Sequence, residues 1–245
     1  MSESTATTIF SDEEHYKYGS CGREMEGVEV KIDHQKKRSD KEGEGEICCR
    51  GRHVMLGYLF DEVKTRESID EDGFFHSGDI GRKDANGMFY ITGRIKELIV
   101  SAGGEKYPPI PCEDSIKASC PALANVMMVG DKKKYNVILV TLKTRVDSEE
   151  NPVDILSGEA KLVDPNVKVV SEAKQSHLWD EYIKNGIKKY NDAATSNAHK
   201  VQYHIILDQD FSLSGGELTA TMKLKRSFCM TKYKDIIDEL YSTHQ

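Results

Sequence analysis

Four short segments carry the side chains that could do chemistry. In FFHSGDI, Phe74 to Ile80, two aromatics lead into a Ser-Gly turn that is expected to present Asp79. A carboxylate can accept hydrogen bonds from two adjacent hydroxyls, which suits a ribose diol. In TGRIKELIV, Thr92 to Val100, Arg94 falls where a strand should end, with Lys96 and Glu97 just beyond. A guanidinium there could contact ribose or phosphate. In SAGGEKYPPIPCE, Ser101 to Glu113, Gly103 and Gly104 permit positive φ and close backbone approach to a ligand. In GGELTATMKLKRS, Gly215 to Ser227, Lys223, Lys225 and Arg226 precede a helix. Lysine is a flexible point charge suited to phosphate oxygens. Taken singly, each segment also reads as something ordinary: a surface turn, a charged strand boundary, a tight connection, a solvated basic face.

Other chemistries lack a pattern. No Gly-x4-Gly-Lys-Ser/Thr phosphate loop occurs. The six cysteines form no Cys-x-x-Cys pair and no His-Cys group with zinc-ligand spacing, and they read as reduced thiols of a cytosolic protein. The formal charge is −7 with Lys and Arg spread along the chain, which speaks against a nucleic-acid partner. The N-terminal MSESTATTIF is not a secretory signal, and no run approaches the ~20 apolar residues that span a bilayer.

The elements that must position these segments divide into two parts. Apolar residues make up 38% of the 245-residue chain, enough to build a core. Val28, Val30 and Ile32 alternate with charged residues and predict a strand, joined by a polar loop, 34–45, to a second strand over Glu46 to Arg50. Asp61 is a candidate cap for a short helix ending at Ser68. Asp84-Ala85-Asn86-Gly87 predicts a hairpin turn into a strand over Met88 to Thr92. Short strands at this density predict a small barrel or curled sheet. Beyond Arg94, strands are expected over 98–100, 126–129, 137–142 and 201–207, with helices over 113–118, 178–194 and 229–240. The fold class is therefore mixed α/β (α+β): a β-rich part over 1–94, then a small α/β domain over 95–245. Residues near 145–170 are polar without a clear period and read as an insertion.

The four segments in this order resemble the C-terminal signature set of the adenylate-forming superfamily, and the resemblance covers almost the whole chain. GEGEICCRGRHVMLGYL, IKELIVSAGGEKYPPIPCE and GGELTATMKLKR are similar to the long-chain fatty acyl-CoA synthetases, the bubblegum type most closely. The resemblance implies a two-step reaction: fatty acid and Mg-ATP give an acyl-adenylate and diphosphate, then coenzyme A gives acyl-CoA and AMP. It implies that Asp79 binds the ribose hydroxyls with help from Arg94, and that Lys96 is a hinge. It places Gly103 and Gly104 on the pantetheine channel. Lys223 becomes the catalytic lysine that bridges phosphate and acyl carboxylate oxygens. Met1-Ser2-Glu3-Ser4 matches a family segment whose glutamate helps hold magnesium, so Glu3 inherits that role. Ala220 stands where many relatives have proline, and Met222 where shorter-chain relatives have glycine.

The superfamily's Ser/Thr/Gly-rich phosphate loop is nowhere in the sequence. The expectation is a ligase chain cut short at its N-terminus, within a motif, and inactive alone. A non-catalytic binding or regulatory module derived from such an enzyme stays open as an alternative. A carrier-protein-loading adenylation domain is disfavoured by the long-chain form of the last motif. The expected setting is cytoplasmic, with peripheral association to membranes such as the endoplasmic reticulum for the sake of long-chain substrates.

Overall fold

A computed structural model describes residues 1–35 and 42–243. The expected loop over 34–45 therefore lies largely outside the described residues. The chain divides into two compact units, Met1–Leu98 and Ile99–Gln245.

The first unit is built from antiparallel strands. A ribbon pairs β1 (Ile9–Phe10) with β2 (Arg23–Glu24). The main sheet contains β3 (Glu29–Asp33), β4 (Glu44–Arg50), β5 (Phe75–Lys83) and β6 (Phe89–Arg94), in that spatial order. With β3 and β6 at its two edges the sheet does not close into a barrel among the described residues, the first of the two forms that the strand density predicts. Helix α1 (Glu62–Ser68) begins as expected at Asp61, whose side chain accepts the Lys64 amide at 3.0 Å. The β5–β6 turn forms at Asp84, whose Oδ1 accepts the amides of Asn86 and Met88, both at 2.9 Å.

One local prediction changes. Ser77 to Asp79 does not form a turn at the end of a strand; it is a bulge inside β5. Glu46 pairs with Ile80 and Cys48 with His76, so Ile47 alone opposes three residues. Gly78 adopts φ +73°, which a glycine tolerates without steric cost. Tertiary pairing on both sides of β5 overrides the turn chemistry of Ser-Gly-Asp.

The second unit is a three-layer sandwich. Its sheet runs β13 (Val201–Ile206), β10 (Asn136–Leu142), β9 (Leu123–Val129), with β9–β10 antiparallel and β10–β13 parallel. Side chains alternate between faces along a strand. Ile138, Val140, Val126 and Met128 accordingly join one core with α2 (Ile110–Ser119) and α5 (His177–Ala193). Val137, Leu139, Met127 and Val129 join another with α6 (Arg226–Lys232) and α7 (Lys234–Thr243). Both faces are covered, which is why these strands read as unbroken apolar runs. Trp179 of α5 is wholly buried.

Three expectations are corrected here. The helix expected over 113–118 starts earlier, at Ile110: Pro109 caps it and Pro111 lies in its first turn, where missing amides cost little. The expected final helix is two, since Tyr233 leaves helical geometry at φ −101°, ψ 17°. The polar 145–170 stretch is ordered. It holds β11 (Thr144–Val146) paired with β12 (Pro152–Leu156), then short helices α3 (Ala160–Val163) and α4 (Val170–Ala173). Leu156, Ala160 and Val170 enter the first core from elements too short to show a period.

Candidate functional site

In the first unit, Asp79 and Arg94 face each other across β5 and β6. Arg94 Nε lies 2.8 Å from Asp79 Oδ1; the carboxylate is largely buried, while the guanidinium side chain is 48% exposed. The bulge sets this geometry. The Ser77 hydroxyl donates to Ile47 O at 2.6 Å and accepts the Asp79 amide at 3.0 Å. Gly78 donates its amide to Glu46 Oε1 at 2.8 Å. Asp79 thereby lines a cavity of about 270 Å³ with Ser4, Thr7, Thr8, Ile47, Cys49 and Ser77 among its walls. A buried carboxylate beside a partly exposed guanidinium, on a floor of hydroxyls and apolar side chains, suits a polyhydroxylated ligand with a flat apolar portion. Glu46, which fixes the bulge, has no local signal in the sequence beyond its place in a strand.

Glu3 is anchored. Its carbonyl accepts the Met55 amide at 2.8 Å, Ser4 bridges to Val54, and Tyr58 Oη donates to Glu3 Oε1 at 3.2 Å. A carboxylate oriented by one hydroxyl fits magnesium, which takes one or two carboxylates and fills its octahedron with water and phosphate oxygens. Lys96 is exposed in a single 3-10 turn, Ile95–Glu97, which directly follows β6.

In the second unit, β7 (Ile99–Val100) and β8 (Lys106–Tyr107) pair as a small hairpin, and Gly103 and Gly104 lie at its tip. Gly104 has φ +82° and donates to Ser101 O at 2.9 Å. The base is held rigidly. Buried Asn136 accepts from Tyr107 Oη at 2.6 Å and donates to Ala198 O at 2.7 Å. Burial pushes the Tyr107 phenol up to about 12. Ser101, Gly103, Lys133, Lys134 and Tyr135 line a cavity of about 180 Å³.

Lys223 is exposed on a separate loop. Its amide donates to Thr219 Oγ1 at 3.1 Å, its carbonyl accepts the Thr219 amide at 2.8 Å, and Met222 takes φ +60°. The loop is pinned at both ends. Glu217, 2% exposed, accepts from Tyr233 Oη at 2.7 Å and from Lys232. Arg226 donates to Glu113 through both terminal nitrogens, at 2.8 and 2.9 Å. The sequence had placed Arg226 with Lys223 and Lys225 on one basic segment. The structure separates them: Arg226 is a half-buried anchor, while the two lysines are exposed. Only the tertiary pairing with Glu113, far away in sequence, reveals this.

Strand-borne carboxylate and guanidinium at a bulge, followed by a small α/β unit with a glycine hairpin and a lysine loop, define the fold of the adenylate-forming enzymes. Solved structures share it. The adenylation domain of carboxylic acid reductase from Segniliparus rugosus superimposes over 94% of this chain and 35% of its own, with TM-score 0.72 and 17% identity. The O-succinylbenzoate coenzyme A synthetase of Bacillus subtilis does so over 93% and 39%, with TM-score 0.60 and 24% identity. Family models for "AMP-binding enzyme" and "AMP-binding enzyme C-terminal domain" match residues 1–59 and 96–177.

The chain belongs to the AMP-binding enzymes, and over nearly its whole length it is similar to long-chain-fatty-acid–CoA ligases. The long-chain-fatty-acid–CoA ligase ACSBG2 of Gallus gallus is 45% identical over 99% of this chain and 32% of its own length. ACSBG1 of Mus musculus is 43% identical over 98% and 34%. The chain thus spans about a third of the length of the curated relatives it matches.

Proposed function

We propose that this chain supplies the ribose-side wall and the small C-terminal unit of an ATP-dependent long-chain fatty acid–CoA ligase. The observation that carries the reading is the Asp79–Arg94 pair, whose carboxylate, set by the β5 bulge, lines the 270 Å³ cavity. The similarity to fatty acid–CoA ligases over nearly the whole chain supports the choice of reaction.

In the first step a fatty acid carboxylate oxygen attacks the α-phosphorus of ATP, and diphosphate leaves. Asp79 accepts hydrogen bonds from the ribose hydroxyls, and Arg94 orients Asp79 while offering its own donors to ribose or phosphate. Lys223 meets the negative charge that gathers on the phosphoryl and carboxylate oxygens. Its mobile four-carbon stem on a tethered loop suits a point contact that must form and release. Glu3 would hold magnesium, which neutralises phosphate charge when bound. In the second step the coenzyme A thiol attacks the acyl carbonyl and AMP leaves. Gly103 and Gly104 let the pantetheine arm approach the backbone. Lys133 and Lys134, at the same cavity, suit the coenzyme's phosphates. Lys96 is the hinge residue in this reading. A long-chain substrate partitions into bilayers, so the enzyme is a cytoplasmic protein that meets membranes peripherally.

The test is AMP binding to the purified chain by equilibrium dialysis. Asp79→Asn should weaken AMP by about 10- to 100-fold, the size of one or two charge-assisted hydrogen bonds. The variant should bind 2′,3′-dideoxy-AMP as the unaltered chain does. Equal affinity of both proteins for AMP would remove Asp79 from the ribose site and with it the main support for the reading.

A further inference from the structure

The face of β4 turned away from the nucleotide cavity holds a second group of chemistry-bearing side chains. Ile47 and Cys49 line the cavity; Glu46 and Cys48 alternate with them and so point to the opposite face. His76 is the cross-strand partner of Cys48 on β5. Neighbouring pairs on one face of a sheet bring side chains into contact. The result is a compact triad: His76 Nδ1 lies 3.0 Å from Glu46 Oε2 and 3.4 Å from Cys48 Sγ. All three ligand atoms fall within 4.8 Å of one another.

The two His76 spacings fit two edges of a coordination tetrahedron. With Zn–N and Zn–O near 2.0 Å and Zn–S near 2.3 Å, tetrahedral angles place N and O about 3.3 Å apart and N and S about 3.5 Å apart. The observed edges lie within a few tenths of an ångström of both. A proton can bridge two of the three atoms; a divalent cation bridges all of them.

The surroundings match a metal site as well. Asp70 Oδ2 faces His76 Nε2 at 3.4 Å, and a carboxylate behind the far ring nitrogen is the usual orienting partner of a metal-bound histidine. Lys31 holds that carboxylate at 3.0 Å. Glu46 is fixed through its other oxygen by the Gly78 amide at 2.8 Å. Cys48 and Glu46 are buried, and the His76 side chain, 24% exposed, leaves an open side for a fourth ligand from water.

We propose that Glu46, Cys48 and His76 form a site for a thiophilic divalent cation, zinc above all. Imidazole, thiolate and one carboxylate are the donor set that zinc accepts, and magnesium would not choose a thiolate. Binding deprotonates the Cys48 thiol, and the proton leaves to solvent. The metal would hold one oxygen of Glu46 while the other holds Gly78, so occupancy stiffens the bulge that carries Asp79. The sequence hid this site because its ligands sit 2 and 28 residues apart on two strands, with no local spacing motif.

The test is cobalt(II) titration of the reduced 245-residue chain, followed by zinc-edge X-ray absorption on the zinc-loaded protein. One equivalent of cobalt should give a near-ultraviolet thiolate-to-cobalt band and the strong visible bands of four-coordination, both erased by excess zinc. Cys48→Ser should abolish the thiolate band, and His76→Gln should weaken cobalt at least tenfold. Cys49→Ser, on the other face of the same strand, should leave the spectrum intact. The absorption edge needs no variant and should show one sulfur at about 2.3 Å with nitrogen or oxygen at about 2.0 Å. No saturable band, a band that survives Cys48→Ser, or a zinc shell without sulfur would each overturn the site. None of these readouts depends on nucleotide binding, so the metal site and the ligase reading can fail separately.

Discussion

Arg226 offers the sharpest test of how the lysine loop is held. Its guanidinium makes two parallel hydrogen bonds to Glu113, at 2.8 and 2.9 Å, and a third to Met128 O at 3.2 Å. Glu113 accepts one further bond, from the Met128 amide at 2.7 Å. The two side chains are only 15% and 11% exposed. The pair therefore ties the first residue of α6 to α2 and β9. In Arg226→Met the carboxylate stays behind with a single amide. Stranding one member of a buried pair costs about 3–5 kcal/mol, and the residual solvent access argues for the lower end, about 3 kcal/mol. For a unit of this size that is a fall in Tm of roughly 6–12 °C. The single tryptophan, Trp179, is buried in the same unit, so urea unfolding followed by its fluorescence reads the right transition. The double variant Arg226→Met, Glu113→Met should cost no more than the single one, because no charge is left unpaired. A loss below about 1 kcal/mol for Arg226→Met would mean a solvated surface pair. Losses that simply add in the double variant would refute the coupling.

Three further outcomes are expected. Burial holds His204 down to about 4, against the pull of Asp180 and with Lys184 assisting, below the ~6.5 of a free histidine. Its proton binds the unfolded chain better, so stability of the second unit is complete above pH 6.5 and declines as pH falls toward 4. The decline should reach about 3 kcal/mol at the acid end, and His204→Leu should remove that part of the urea-midpoint profile. Gly186 of α5 sits against α2, and a β-carbon there would meet Cys120 Sγ at 2.3 Å. Gly186→Ala should cost about 1–3 kcal/mol despite the better helix former, and Cys120→Ala in the same chain should recover most of it in the same unfolding assay. In a ligase of the relatives' length, alanine at the position of Lys223 should slow adenylation far more than thioester formation. Diphosphate release and acyl transfer from supplied acyl-adenylate measure the two steps separately, and equal losses would argue against the assigned role.

Local chemistry made much of this molecule legible in its sequence. Asp61 capped α1, Asp84 to Gly87 turned β5 into β6, and the three- and four-residue spacing from Leu178 to Ala194 gave α5. Each of these depends on neighbours within a turn or two of chain. The ordered motifs also carried the family, since four segments in one order are a strong constraint even where each is ordinary alone. The polar stretch after Leu142 failed for the complementary reason. Its strands and helices are too short for a period, and they are held by packing Leu156, Ala160 and Val170 into a core built by other elements.

What only the tertiary structure decided are the pairings across long loops. A one-residue difference in the register of β4 against β5 would turn Cys48 into the cavity and Cys49 out of it, because successive side chains on a strand face opposite ways. The Ser-Gly-Asp segment encodes a turn locally, yet the hydrogen bonds it donates to Ile47 and Glu46 hold it as a bulge within a strand. Arg226 looks like its lysine neighbours until Glu113, 113 residues earlier, is placed against it. The sequence determined the longer, periodic elements and the ordered motifs that mark the family, through patterns close along the chain. The fold decided which side chains meet, because ion pairs, ligand sets and bulges depend on strand register and helix packing between residues that are distant in sequence.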